Sequence, residues 1–236
     1  MSAPEALDFG KYYHIYNRGN NRENLFREEQ NYRLFLALWA KYIVPVAVSY
    51  AYVLLKNHFH FLVRTRTVAE QVAWWASRGR DLTGEKAHLS GRSPTIGGQI
   101  EEQQLQSVDV DVDFKPLDPS KQFSNLFNAY ARTFNNTYRR TGALFQRPFG
   151  RIEVTSDRYF RRLVLYIHQN PQKHGFVQDF REWPYSSYHT LLSLKQTLLQ
   201  RDAVLSWFDN KDGFHFSHNR ALADHDILAF FPDDFD

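Results

Sequence analysis

The chain contains no cysteine, which excludes disulfides, thiolate metal sites and cysteine nucleophiles. No apolar run reaches the length of a membrane span. The opening Met1-Ser2-Ala3-Pro4-Glu5 has neither the charged nor the apolar region of a signal peptide. A cytoplasmic protein without membrane contacts is the expectation. There is no internal repeat, so a solenoid is excluded as well.

What is present is ordinary in bulk and uneven in placement. The 236 residues suffice for one elaborated domain or two small ones, with a sizeable core. Net charge is only +3, yet eight arginines (132, 139, 140, 147, 151, 158, 161, 162) face only Glu153 and Asp157 between Arg132 and Arg162. The tail from Asp224 to Asp236 holds five aspartates and no Lys or Arg, and without them the balance would be +8. Basic residues interleaved with aromatics fit a nucleic-acid surface, and a solvated helix face with scattered ion pairs fits equally well.

Pattern and punctuation give a coarse order of elements. Tyr12–Tyr16 reads as a strand ended by the turn-prone Asn17-Arg18-Gly19-Asn20. A helix follows over about 28–42, on Leu34, Leu38 and Tyr42 with Phe35 beside them. Residues 44–55 form a second strand, and Lys56-Asn57 turns the chain into a third. A second helix spans about 68–77. Residues 78–118, mixed in Gly, Ser, Gln and Asp, read as an insertion. Pro119-Ser120 caps a long helix bearing Phe123, Leu126, Phe127, Tyr130, Phe134 and Tyr138, ended by Gly142. A short strand near Arg151–Val154 precedes a helix that starts at Ser156-Asp157 and stops at Asn170-Pro171. Short helical or irregular pieces at 204–208 and 221–231 close the chain.

The third strand carries Asn57-His58-Phe59-His60-Phe61-Leu62-Val63. Side chains alternate along a strand, so His58 and His60 share one face about 7 Å apart while Phe59, Phe61 and Val63 point the other way. Two imidazoles at that spacing can bind one divalent ion if a third group arrives from elsewhere. The alternative is a pair of histidines hydrogen-bonded to their neighbours.

The motifs occur in an order that resembles a known family, the HUH single-tyrosine transposases, and in particular the REP-associated tyrosine transposases. The matching segments are His14-Ile15-Tyr16-Asn17-Arg18-Gly19, then Asn57 to Val63, then Leu144-Phe145-Gln146-Arg147-Pro148-Phe149. Tyr166-Ile167-His168-Gln169-Asn170-Pro171-Gln172-Lys173-His174-Gly175 and the Trp183–Tyr188 segment complete the set, over about residues 12–190. The resemblance implies an α+β fold: a ferredoxin-like antiparallel sheet with helices on one face, plus the insertion at about 78–118 and a C-terminal helical extension, 191–236, ending in the acidic tail.

It also implies an activity. Such enzymes bind single-stranded or hairpin DNA and cleave it with a tyrosine, forming a 5′-phosphotyrosine and releasing a 3′-hydroxyl, with magnesium or manganese at the histidine pair. The third metal ligand often lies four residues after the tyrosine, and the family suggests a homodimer. Phe149 aligns with the family tyrosine, which it cannot replace for want of a hydroxyl. Glu153, four residues later, is then the expected third ligand beside His58 and His60. Tyr159 and Tyr166 are substitute nucleophiles, with Tyr130 and Tyr138 further outsiders. Arg18 is expected near the metal pair, and Arg139, Arg140, Arg147, Arg151, Arg161 and Arg162 on the DNA backbone. Tyr138 is also a candidate for stacking on an unpaired base. His168 and Asn170 are expected to fix the turn after their helix. Two other outcomes stay open: a domesticated hairpin-binding protein that does not cut, and a metal-binding interaction module without nucleic acid.

Overall fold

The computed structural model describes residues 6–78 and 114–221; most of the expected insertion and the acidic tail lie outside them. Four strands, β1 (Tyr12–Arg18), β2 (Ala47–Leu54), β3 (His58–Thr65) and β4 (Gly150–Glu153), form one sheet in the order β2-β3-β1-β4. Every pairing is antiparallel. With α1 (Glu29–Tyr42) joining β1 to β2, and α2 (Val68–Ala76) and α3 (Pro119–Thr137) between β3 and β4, the order is that of a ferredoxin-like α+β sheet.

The alternation of β3 sorts the molecule into two cores. Phe59, Phe61 and Val63 face α1 and α3, where Phe35, Trp39, Phe123, Phe127 and Tyr130 meet them. The buried side of α1 is Tyr32, Phe35 and Trp39, one step around from the expected Leu34–Leu38–Tyr42 stripe, whose members are only partly buried. Trp39 decides this. Its ring stacks on Phe61 at 3.6 Å and its indole N–H donates to the Ser49 hydroxyl at 3.1 Å. At α3, Asp118 and not the Pro119-Ser120 pair is the cap, its carboxylate accepting from the N–H groups of Ser120 and Lys121. Pro119 occupies the first helical turn, where its missing N–H costs nothing. That helix ends at Thr137, and Gly142 belongs to the following turn with φ of +86°, a value that favours glycine.

The second core lies under α4 (Asp157–Lys173), started by Ser156, whose hydroxyl accepts from the Tyr159 N–H. Helices therefore cover both faces of the sheet: the two crossover helices share one face as expected, and α4 closes the other. The helix also runs through Pro171 instead of stopping before it. Leu163 to Pro171 are all buried, so packing on every side holds the last turn against the local cost of proline. Part of that enclosure comes from α5 (Tyr188–Leu192), α6 (Arg201–Ser206) and α7 (Lys211–Ala221). Val204, Phe208 and Phe214 belong to the same core as Leu163 and Ile167, so the described part of the C-terminal extension is built into the fold.

A chain of hydrogen bonds fixes α7 to α4. His218 Nδ1 donates to the Phe214 carbonyl at 2.8 Å, so His218 Nε2 accepts from His168 Nδ1 at 2.8 Å, and His168 Nε2 accepts from the Ser187 hydroxyl at 2.7 Å. His168 thus joins helices and does more than shape a turn. Among the described residues no helix is long and apolar enough to cross a membrane.

Candidate active site

Directly paired residues of an antiparallel sheet share a face. Tyr16 pairs with His60 and Arg18 with His58, and His14 lies two residues before Tyr16. His14, Tyr16, Arg18, His58 and His60 therefore all project toward α4. The three histidines and Arg18 are buried there.

Both β3 histidines are oriented through Nδ1. His60 Nδ1 shares a hydrogen bond with His14 Nε2 at 2.9 Å, and His58 Nδ1 lies 2.8 Å from the Asn57 amide oxygen. Burial pushes His14 down to about 3. Burial, reinforced by the charge of His174, takes His58 to about 3. His60 is held well below its ordinary value, by burial first and by His14 and His58 next. The imidazoles are thus neutral at neutral pH, the form that binds metals.

From α4, Tyr166 and Asn170 come down onto this cluster. They are four residues apart and so share one helical face. The Tyr166 ring meets His60 edge-on at 5.3 Å between centroids and His14 at 6.2 Å. The Asn170 amide oxygen lies 3.1 Å from His58 Nε2. The Lys173 ammonium sits 5.1 Å from the centre of the Tyr166 ring, and exposed His174 lies edge-on to His58 at 4.8 Å. The cluster is reached from the C-terminal end of α4.

The carboxamide contact is informative. His58 has an amide oxygen at each ring nitrogen, yet a neutral imidazole donates from only one. With Nδ1 donating to Asn57, His58 Nε2 and Asn170 Oδ1 face each other as two acceptors. In this orientation the Asn170 Nδ2 is buried without a hydrogen-bond partner among the described residues. In the other tautomer His58 Nε2 donates to the Asn170 oxygen and its Nδ1 faces the Asn57 oxygen as the second acceptor instead.

Other expected site residues fall elsewhere. Phe149 lies in the core on the opposite face, its ring 5.7 Å from Phe123 and 5.2 Å from Phe127. Glu153 pairs with Tyr13, one residue out of phase with His14, so it too points away from the histidines, and it binds Lys11 at 3.2 Å. Both expectations are corrected by β4's alternation: in this strand Gly150 and Ile152 face α4. Gly150 leaves room there for the Tyr16 ring, which would have to move for any Cβ at this position.

Tyr159 lies two turns before Tyr166, at the edge of the α4 core, and burial raises it to about 12. Tyr130 is buried and donates to the Leu25 carbonyl, while the Tyr138 hydroxyl hydrogen-bonds Glu28 and Asn31 at the start of α1. Of the expected arginines, Arg18 lies beside the histidines, paired with His58 across β1 and β3. Arg140 is committed to Glu23 at 2.6 Å and to the carbonyls of Gly142 and Ala143, so its role is structural. Arg151 packs its guanidinium 3.8 Å over the Phe149 ring on the far face. Arg147 is exposed before β4, Arg139 is exposed after α3, and Arg161 and Arg162 lie on α4.

Asn170 was expected only to fix the turn after its helix, and its amide also meets His58; His14 was quoted without a task. The signal for Asn170 was the four-residue spacing from Tyr166. Among the described residues there is no cluster of three or more His, Cys, Asp or Glu side chains arranged for a metal ion.

No family model matches the chain. A Haemophilus influenzae protein named for the REP-associated tyrosine transposases is 37% identical over 71 residues, 29% of this chain and 40% of that protein, so the chain matches well under half of its relative's length. A solved structure, that of a REP-associated tyrosine transposase bound to a REP hairpin, aligns at 16% identity with a TM-score of 0.48, over 81% of this chain and 84% of the other.

Proposed function

We propose that this chain is a REP-associated-type HUH transposase, cleaving and rejoining hairpin-bearing single-stranded DNA with Tyr166 as its nucleophile. The observation that carries this reading is Asn170 on His58 with Tyr166 one helical turn before it. The family's pairing of nucleophile and third ligand, sought at Phe149 and Glu153, is met at Tyr166 and Asn170. The ordered motifs and the 37% identity to the Haemophilus influenzae relative support it.

The residues fit a divalent ion. His58 Nε2 and Asn170 Oδ1 lie 3.1 Å apart, and in the tautomer with the proton on Nδ1 both are acceptors at about the separation of two adjacent ligands on one magnesium at ~2.1 Å each. A cation also explains why the buried Asn170 amide keeps its oxygen on His58. His60, oriented through Nδ1 by His14, would contribute Nε2. Magnesium or manganese bound there would supply positive charge to offset that on the scissile phosphate.

The protein's own groups do the rest. The Tyr166 oxygen attacks phosphorus, the P–O bond to the 3′ oxygen breaks, and the phenolic proton leaves with solvent or the departing hydroxyl. The 5′-phosphotyrosine conserves the phosphodiester for rejoining. Lys173, over the Tyr166 ring, is placed to balance phenolate charge. Arg18 is placed to hold a phosphate oxygen beside His58.

The test is incubation of the protein with end-labelled, hairpin-bearing single strands and manganese, followed by a denaturing gel. A covalent adduct that disappears in Tyr166→Phe is expected. An adduct that persists in that variant and is lost in Tyr159→Phe would overturn the assignment, and tight binding without any adduct would favour the non-cutting alternative.

A further inference from the structure

At the end of the sheet away from the turn between β2 and β3, a cavity of about 740 Å³ opens between β2, α2 and the segment 196–203. β2 is an edge strand, and this segment covers its edge: the Gln200 N–H donates to the Ser49 carbonyl at 2.9 Å, and Leu199 bridges to Ser49. From β3 the cavity takes Arg64, four residues beyond His60 and so about 13 Å along the strand. It shares no described lining residue with the tyrosine site.

Just past β3, Arg66 lines this cavity half-buried. Its Nε donates to the Val44 carbonyl at 3.0 Å, and its two terminal nitrogens have no hydrogen-bond or ion-pair partner among the described residues. Glu70, whose charge reaches it, is committed to Arg64 by bonds of 3.0 and 2.5 Å and to the Thr67 N–H at 2.7 Å. Burial, with the like charges of Arg64 and Arg78, pulls the Arg66 guanidinium down to about 10 in spite of Glu70. Asp202 also lines the cavity, but it is exposed in the first turn of α6 and makes no ion pair among the described residues. A half-buried cation without a counter-charge costs stability, and a bound anion would offset that cost.

Among the described residues, four arginines and two carboxylates line the cavity, an excess of two positive charges. A phosphomonoester carries about two negative charges at neutral pH, and a carboxylate carries one. The apolar lining includes Val44, Val48, Trp74 and Leu199, and Arg78 packs 4.0 Å over the Trp74 ring. We propose that this cavity binds a small phosphomonoester with a ring or other apolar body, of about mononucleotide size. Its phosphate takes the two terminal nitrogens of Arg66 side by side, and its body lies on Val48, Trp74 and Leu199. An apolar wall with a few placed polar groups, in a volume of about 300–1,000 Å³, is the usual form of such a site. The site stands apart from strand cleavage and does not rest on the Tyr166 reading.

The test is calorimetric titration of the full chain with deoxyadenosine monophosphate, inorganic phosphate and deoxyadenosine, with the thermal midpoint measured alongside. The nucleotide is expected to bind at least about tenfold tighter than either fragment and to raise the midpoint. Arg66→Gln should weaken nucleotide binding at least about tenfold, yet unfold no lower than the parent without ligand, since it removes a cation that lacks a partner. Trp74→Ala should bring the nucleotide down to the affinity of phosphate, and Tyr166→Phe should bind it as the parent does. No saturable binding below about 1 mM, or full affinity in Arg66→Gln, overturns the proposal. A midpoint that falls with the affinity in Arg66→Gln makes that arginine a structural residue and also overturns it. Displacement of the nucleotide by hairpin DNA would make the cavity part of the DNA surface, and the separate site would be refuted.

Discussion

The two faces of the sheet are made from alternate residues of the same strands, yet they are built by opposite rules. Toward α1 and α3, β3 presents Phe59, Phe61 and Val63 to a wall of aromatic rings. Toward α4 it presents His58 and His60, buried just as deeply but surrounded by imidazoles, amides and a tyrosine. The first face is stabilised mainly by apolar burial. The second gives up part of that stabilisation to hold neutral imidazoles and an amide in one fixed arrangement. A strand reading His-Phe-His-Phe can therefore anchor a core with one set of residues and carry chemistry with the other.

The comparison can be broken most decisively at the tyrosine. Tyr166→Phe is expected to reduce adduct formation by at least about a thousandfold, because the nucleophilic oxygen is removed, while thermal stability moves by no more than about 1 kcal/mol. Adding Phe149→Tyr to that variant should restore nothing, since position 149 lies in the opposite core; recovered adduct on a gel would show the faces to be misassigned.

Next in size is the aromatic face. Phe61→Ala removes the ring that stacks on Trp39 and should cost about 3–5 kcal/mol in denaturant unfolding. Asn170→Ala, on the other face, should cost only about 1–3 kcal/mol. It should also weaken manganese binding, measured by calorimetry, at least about tenfold. Equal stability losses with unchanged metal affinity would erase the distinction.

At the sheet edge, Gly150→Ala forces the Tyr16 ring away from β4 and should destabilise by about 1–3 kcal/mol, read from the thermal midpoint.

The smallest effect is a slope. His218 falls to about 3 in the folded protein, chiefly by burial, against an ordinary value of 6.5. Below 6.5 the unfolded chain binds the proton that the folded one refuses, so the contribution of neutral His218 is intact above pH 6.5 and lost as pH falls toward 3. His218→Gln should flatten the decline of stability between pH 6.5 and 4, as followed by circular dichroism. An unchanged slope would place the acid sensitivity elsewhere.

Much of this was legible in the chain. Period-two alternation located β3 and put His58 and His60 on one side, and the turn residues Lys56-Asn57 marked the hairpin between β2 and β3. The errors share one origin. Phe149 and Glu153 were matched by spacing along the chain, whereas β4's phase against β1 sets which residues face α4, and a one-residue offset sends a side chain through the sheet. Asn170-Pro171 looked like a helix stop because local rules disfavour a helical residue before proline. The enclosed packing of α4 overrides that rule, and the extra turn keeps Asn170 helical above His58.

By itself, then, the sequence determined the α+β order of elements, the pairing of His58 with His60 and the set of motifs. These rest on local periodicity and turn chemistry, which are properties of neighbouring residues. Only the tertiary structure decided that Tyr166 and Asn170, more than a hundred residues further along the chain, stand over that pair, and that Phe149 and Glu153 do not. That outcome depends on strand register and on which face α4 covers, and both are fixed by packing between distant segments.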